Sequence, residues 1–372
     1  MKHAKPMKRA LSVLLALVLS LSLVTPTWAA AKTPSSGTGN GLTWEKIDNR
    51  STDLRLDKNN AEKVAQDTPE YADTDVVRVS IVLKDASTLA KGYSSEDIAT
   101  NSAAMKYRQK LETKQEKMAK TISKKALGGE ALDVVWNLTL AANIISANVP
   151  YGDIEAIKAV SGVANVVLET RYEPQVASVD ALDPNMATSG SMIGSDIAYL
   201  EGYTGAGTRI AVIDTGTDTD HQSFNEDAFL QAIKEDGKTD SLMIKADITN
   251  VLSELNIAGN EGVTADSLYL TAKLPFAYNY VDSDFDVTHD NDSQGEHGSH
   301  VAGIATANRY IKNEDGIYSD ALDVAHTQGV APDAQLITMK VFGKGGGAYD
   351  SDYMAAIEDA IVLDCDSVNL SL

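Results

Sequence analysis

Arg209-Ile210-Ala211-Val212-Ile213-Asp214-Thr215-Gly216 is the stretch that decides the fold. A short run of β-branched and aliphatic residues delivers a carboxylate at its end, then turns on a glycine. This is how an open α/β sheet places a functional side chain at the carboxyl edge of a strand. On its own the pattern is equally that of a turn or N-cap aspartate. Downstream, residues 336–342 read as a second apolar strand, 353–362 as a helix and 367–372 as a third strand. Strands alternating with helical stretches predict a parallel α/β sheet.

Upstream of Arg209 the composition changes. Residues 174–195 are rich in Ser, Asp, Pro and Gly without clear periodicity, and predict a linker. Before it, an alternating strand at 76–84 is followed by a helix at about 102–127, an apolar stretch at 132–149, a short helix at 154–160 and a strand at 163–168. That order of strand, helix, strands, helix, strand predicts a small α+β unit over residues 71–180, large enough to fold by itself. Residues 32–70 are polar and aperiodic, a poorly ordered lead-in. Residues 1–31 combine Lys2, Lys5, Lys8 and Arg9 with an apolar run at 10–24 and Ala29-Ala30-Ala31, the pattern of a cleaved export signal. The apolar run is short for a membrane span.

The 372 residues are enough for two folded units, and 43% hydrophobic content can fill both cores. A net charge of -21 without a basic patch excludes nucleic acid as an expected partner and favours solubility outside the cell. Cys365 is the single cysteine, so no intrachain disulfide forms.

A second constellation joins Asp214. Glu296-His297-Gly298-Ser299-His300-Val301-Ala302-Gly303-Ile304 runs from a polar loop into a helix of small residues. An imidazole there faces the positive end of the helix dipole, which disfavours imidazolium and leaves the ring ready to accept a proton. A surface histidine and a metal site using His297 with His300 compete with that reading. The zinc-protease spacing His-Glu-x-x-His is missing, which counts against the metal.

Five segments together resemble the subtilisin-like serine proteases (subtilases, peptidase family S8). They are Gly202-Tyr203-Thr204-Gly205 leading into residues 211–217, residues 297–304, Gly329-Val330-Ala331-Pro332, Met339-Lys340-Val341, and residues 366–372. The resemblance implies an α/β fold, a parallel-sheet subtilisin-like catalytic domain over residues 181–372, preceded by a small ferredoxin-like α+β prodomain similar to the family's inhibitor-like folding aid. Residues 273–282 look like those of the larger members related to lactocepin and streptococcal C5a peptidase. The resemblance makes Asp214 the triad aspartate and His297 the general base, with His300 a structural neighbour. It also implies that Gly345, Gly346 and Gly347 on one side, and Ser371 and Leu372 on the other, flank an extended protein or peptide substrate. The chain's own prodomain would be its intramolecular inhibitor.

Departures from the family pattern shape further expectations. Thr217 stands where an aliphatic residue is usual, and the long gap from Asp214 to His297 implies an insertion between about residues 224 and 266. The family's oxyanion Asn and Gly-Thr-Ser-Met-Ala nucleophile motif do not occur by Leu372. The chain is therefore expected to be the front part of a secreted or envelope-associated precursor, inactive as it stands, or else a non-catalytic binding or inhibitory derivative. Gly190-Ser191-Met192 superficially offers a nucleophile, but it precedes Asp214, against the family order. No cofactor is needed for catalysis of this kind. Asp282, Asp284 and Asp286, within an acidic stretch reaching Asp290 and Asp292, are candidate ligands for a structural calcium ion.

Overall fold

A computed structural model describes residues 71–96, 98–174, 186–292 and 294–371. The expected export signal, the whole lead-in, residues 175–185 of the expected linker and Leu372 lie outside the described residues. Residues 76–372 form one unit, which carries everything below.

The upstream part begins with β1 (Val76–Leu83), whose β-branched residues alternate so that Val77, Val79, Ile81 and Leu83 are buried. Helix α1 (Ser102–Ala126) starts where the Asn101 side chain accepts the N–H groups of Ala103 and Ala104. It ends with Lys124 and Lys125 in its last turn, and buries Ala104, Arg108, Leu111, Gln115 and Ile122 at helical spacing. Strands β2 (Asp133–Leu138) and β3 (Ile144–Pro150), helix α2 (Ile154–Lys158) and β4 (Val163–Leu168) complete the unit. The sheet is antiparallel throughout, in the order β2-β3-β1-β4. This is the βαββαβ succession read from the sequence. β5 (Arg171–Tyr172) follows.

Residues 186–193 are helical, as α3, where composition predicted linker, and residues 195–200 follow as α4 at its end. Each is too short for periodicity to register against so many small polar residues. Gly194 separates them in the left-handed region at φ 79°.

The downstream part is built on β6 (Arg209–Asp214), β7 (Phe276–Asn279), β8 (Gln335–Lys340) and β10 (Ser367–Leu370), in the order β10-β6-β8-β7 with every pair parallel. The parallel α/β expectation holds. β7 and β8 are buried along their whole length, as strands covered on both faces must be. Between β6 and β7, where the insertion is implied, α5 (Glu226–Glu235) and α6 (Lys245–Val251) contribute buried Phe229, Ile233 and Ile248. Helix α7 (His297–Thr306) follows β7, while β9 (Ala348–Tyr349) leads into α8 (Asp350–Val362). One hydrophobic cluster joins Trp136 and Leu138 of β2, Ile337 and Met339 of β8, and Ala355, Ala356 and Ala360 of α8. Among the described residues, no helix is long and apolar enough to cross a membrane.

Candidate active site

β6 is an interior strand, and its last residue, Asp214, is 1% exposed. Lys340 lies opposite it in the parallel register. Asp214 Oδ1 accepts the Thr215 N–H at 2.6 Å and lies 2.8 Å from His297 Nδ1. The two residues are brought together across 83 positions of sequence. A bond from Nδ1 to a carboxylate selects the tautomer that leaves Nε2 as the proton acceptor. Among the described residues Nε2 has no hydrogen-bond partner, and the imidazole keeps 21% exposure.

Local packing forces the approach. His297 is the first residue of α7, and the Gly298 N–H donates to Thr215 Oγ1 at 2.9 Å, while that hydroxyl donates to Gly295 O at 3.4 Å. A Cβ on Gly298 would run into the backbone of Gly216, and one on Gly216 (φ 113°) into Val287 O. Two glycines let the turn after β6 lie directly on the start of α7. Thr217, the departure noted above, is buried and donates its N–H to Val287 O at 2.7 Å. His300 is exposed on the same helix.

The expected substrate-flanking residues fare differently. Gly345–347 lie against the upstream part: β5 pairs antiparallel with β9, Tyr172 opposite Ala348, and an Arg171 guanidinium N–H donates to Gly345 O at 2.9 Å. A cavity of about 240 Å³ opens beside them, lined by Arg78, Trp136, Tyr280 and Tyr349 among others. Ser371 follows β10 and donates to Asn369 Oδ1 at 2.9 Å; among the described residues no hydrogen bond joins it to the glycine segment.

Asp282, Asp284 and Asp286 do not converge. Asp282 Oδ2 accepts from Asn279 Nδ2 and Lys344 N, both at 3.0 Å. Asp284 Oδ1 accepts from Asp286 N at 3.0 Å, and its Oδ2 is 3.4 Å from Lys344 Nζ. Asp286 accepts from Asn291 Nδ2 at 2.7 Å, the largest cause of its lowered pKa, and from Thr288. Among the described residues, no group of three or more His, Cys, Asp or Glu side chains is placed to hold a metal ion. As they stand, these oxygens are spent on neighbouring protein donors rather than gathered into a cage.

Sequence reasoning missed the carboxylates that seat the upstream sheet on α8. Glu358 Oε1 accepts the N–H groups of Leu140, Ala141 and Ala142 at 3.0, 2.6 and 3.2 Å. Asp352 accepts Trp136 Nε1–H at 2.9 Å and pairs with Arg78 at 3.1 Å. Glu169 accepts from Ser80 and Ser146 of the upstream sheet and from Ser351 on α8, each hydroxyl at 2.8 Å. The available signal was Glu358 amid the apolar run of α8, where a charge needs a partner.

Residues 205–372 match the Subtilase family (Peptidase_S8), and the parallel sheet of β6, β7, β8 and β10 lies within that match. The chain is 28% identical over 239 residues to the minor extracellular protease Vpr of Bacillus subtilis, covering 61% of this chain and 22% of that protein. It is 29% identical over 233 residues to a PII-type proteinase of Lacticaseibacillus paracasei, covering 62% of this chain and 10% of the relative. A C5a peptidase of Streptococcus pyogenes is 29% identical over 168 residues, 45% of this chain and 12% of that one. The chain thus spans only 10 to 22% of the length of these relatives.

Proposed function

We propose that this chain is the front part of a secreted subtilisin-like serine endopeptidase precursor that hydrolyses peptide bonds in proteins. The observation that carries the reading is the 2.8 Å approach of His297 Nδ1 to Asp214 Oδ1, with Nε2 left without a hydrogen-bond partner among the described residues. In this mechanism Nε2 takes the proton from a serine hydroxyl as its oxygen attacks the peptide carbonyl. The imidazolium that forms donates Nδ1–H to buried Asp214, then gives the Nε2 proton to the departing amine. The serine follows His297 in the family's order of Asp, His, Ser. Proton transfer between side chains needs no cofactor.

Two further parts of the reading have support. The basic start, apolar run and alanine site of residues 2–31, together with a relative named as extracellular, favour export. The upstream α+β unit acts as the chain's own inhibitor and folding aid, since β5 lies along the glycine segment where an extended substrate is expected.

The complete secreted protein, carried through its serine, is to be assayed on casein beside His297→Ala and Asp214→Asn. Turnover should fall about 10⁶-fold for the first and about 10⁴-fold for the second. Equal activity of wild type and His297→Ala overturns the proposal. No hydrolysis by any form favours a non-catalytic binding or inhibitory protein.

A further inference from the structure

Lys340 ends β8 with its side chain 1% exposed, in a strand otherwise lined by apolar and neutral residues. A buried ammonium is costly unless it is fully partnered. Its Nζ donates to the carbonyl of Thr215, the residue after Asp214. It also pairs with Asp292 Oδ2 at 2.7 Å, a carboxylate only 3% exposed. Asp292 Oδ1 accepts the Gln294 N–H at 2.9 Å, and Gln294 Nε2 donates to Gly343 O at 2.9 Å, just beyond β8. The chain entering α7 is therefore tied twice to the end of β8. The turn leaving β6 is tied to the same ammonium.

We propose that the Lys340–Asp292 ion pair is the clamp that positions the dyad, holding the Thr215 turn and the approach to His297 in one frame so that Nδ1 stays on Asp214. Neither residue touches a reacting atom, so both are positioning residues. Asp214 and His297 sit on different elements, and a hydrogen bond between them lasts only as long as those elements keep their register. The ion pair spans that joint from beneath, where water does not screen it. The catalytic consequence rests on the protease reading; the structural one does not.

The first test uses the 372-residue chain labelled with ¹⁵N-histidine. Solvent exchange of the His297 Nδ1–H, assigned by its loss in His297→Ala, is followed by NMR in Asp292→Asn, Lys340→Met and the double variant. Exchange should accelerate about tenfold in each single variant with the circular dichroism spectrum retained, since one lost tie opens the site locally. The double variant should be no faster than the faster single one, because one interaction is removed in all three. Exchange within about threefold of wild type in Asp292→Asn overturns the clamp, even if the melting temperature drops. Should Asp292→Asn not fold, Asp292→Glu, which keeps the charge but displaces the carboxylate by one methylene, is read by the same criterion. In the complete protein, kcat on a peptide substrate should fall about 10²-fold for Asp292→Asn with KM little changed. A fall in KM affinity alone also overturns it. If His297→Ala retains full activity the protease reading fails, and the proton-exchange result still decides the clamp.

Discussion

Glu358 and Ala141 meet at 2.6 Å across 217 residues of sequence, a carboxylate on α8 taking a backbone N–H from the turn between β2 and β3. Burial raises the Glu358 pKa, while the backbone N–H groups of that turn and the nearby Arg108 oppose the shift. Glu358 is thus one of the carboxylates, with Asp352 and Glu169, through which the upstream sheet is held on α8.

Glu358→Ala should strand the N–H groups of Leu140, Ala141 and Ala142 and cost on the order of 3 kcal/mol. Urea midpoints would show the loss. Amide exchange at those three positions should rise more than exchange in β6 and β8. Uniform acceleration across the chain would contradict a local seat.

Gly298→Ala should be poorly tolerated despite being the smallest possible change. The added methyl meets backbone rather than a movable side chain, so α7 must shift away from the turn after β6. The expected cost is about 1 to 3 kcal/mol. Gly303→Ala, where nothing lies within 4 Å of the added carbon, is the control and should be neutral or stabilising. Thermal melts of the two variants would check this pair of outcomes.

Burial pushes the Asp359 carboxyl up to about 7 from its ordinary 3.8, against the opposing pull of the Asn256 N–H and the Tyr280 hydroxyl. Between those values the folded chain holds a proton that the unfolded chain has released. Its contribution therefore falls as pH rises through that window, by at most about 1.4 kcal/mol per pH unit. Asp359→Asn keeps the acceptor for Asn256 and removes the charge. Its urea midpoint should depend less on pH between about 4.5 and 7 than that of wild type. An unchanged slope would refute the assignment.

If the upstream unit is a prodomain, it should leave by cleavage after β5, between residues 173 and 192. β5 is anchored on β9, so the cleaved bond is expected beyond it. N-terminal sequencing of the mature secreted protein checks this, and a start before residue 149 would contradict it.

The parallel sheet was legible because the interior of β6 is a continuous apolar run and β8 is largely apolar, and runs of that kind have few alternatives to a strand covered on both faces. β7 was harder: four residues inside a longer apolar segment carry no periodicity. Asp214 and His297 could be singled out because each ends or begins an element, where the chemistry of a carboxylate or imidazole is exposed to use. The roles of Asp292 and Lys340 were hidden for a physical reason. Asp292 read as one more member of an acidic stretch, and its partner lies 48 positions away on a strand whose neighbours only the fold supplies. A lysine within a wholly buried strand was nevertheless a detectable demand for an anion.

β6 lies between β8 and β10, so Asp214 is flanked by strands that begin at Gln335 and Ser367. Joining them closes loops of more than a hundred residues, with the entropic cost and slow search that non-local pairing entails. The upstream sheet has no such burden, since β1 to β4 come from one continuous stretch. During synthesis it can form long before α8 emerges, and α8 then meets a ready-made surface of N–H groups on which Glu358 can land. Assembly order is thereby biased by connectivity: the local unit first, and after it the docking of α8 and the strand pairings that bracket Asp214, each of which joins residues more than a hundred positions apart.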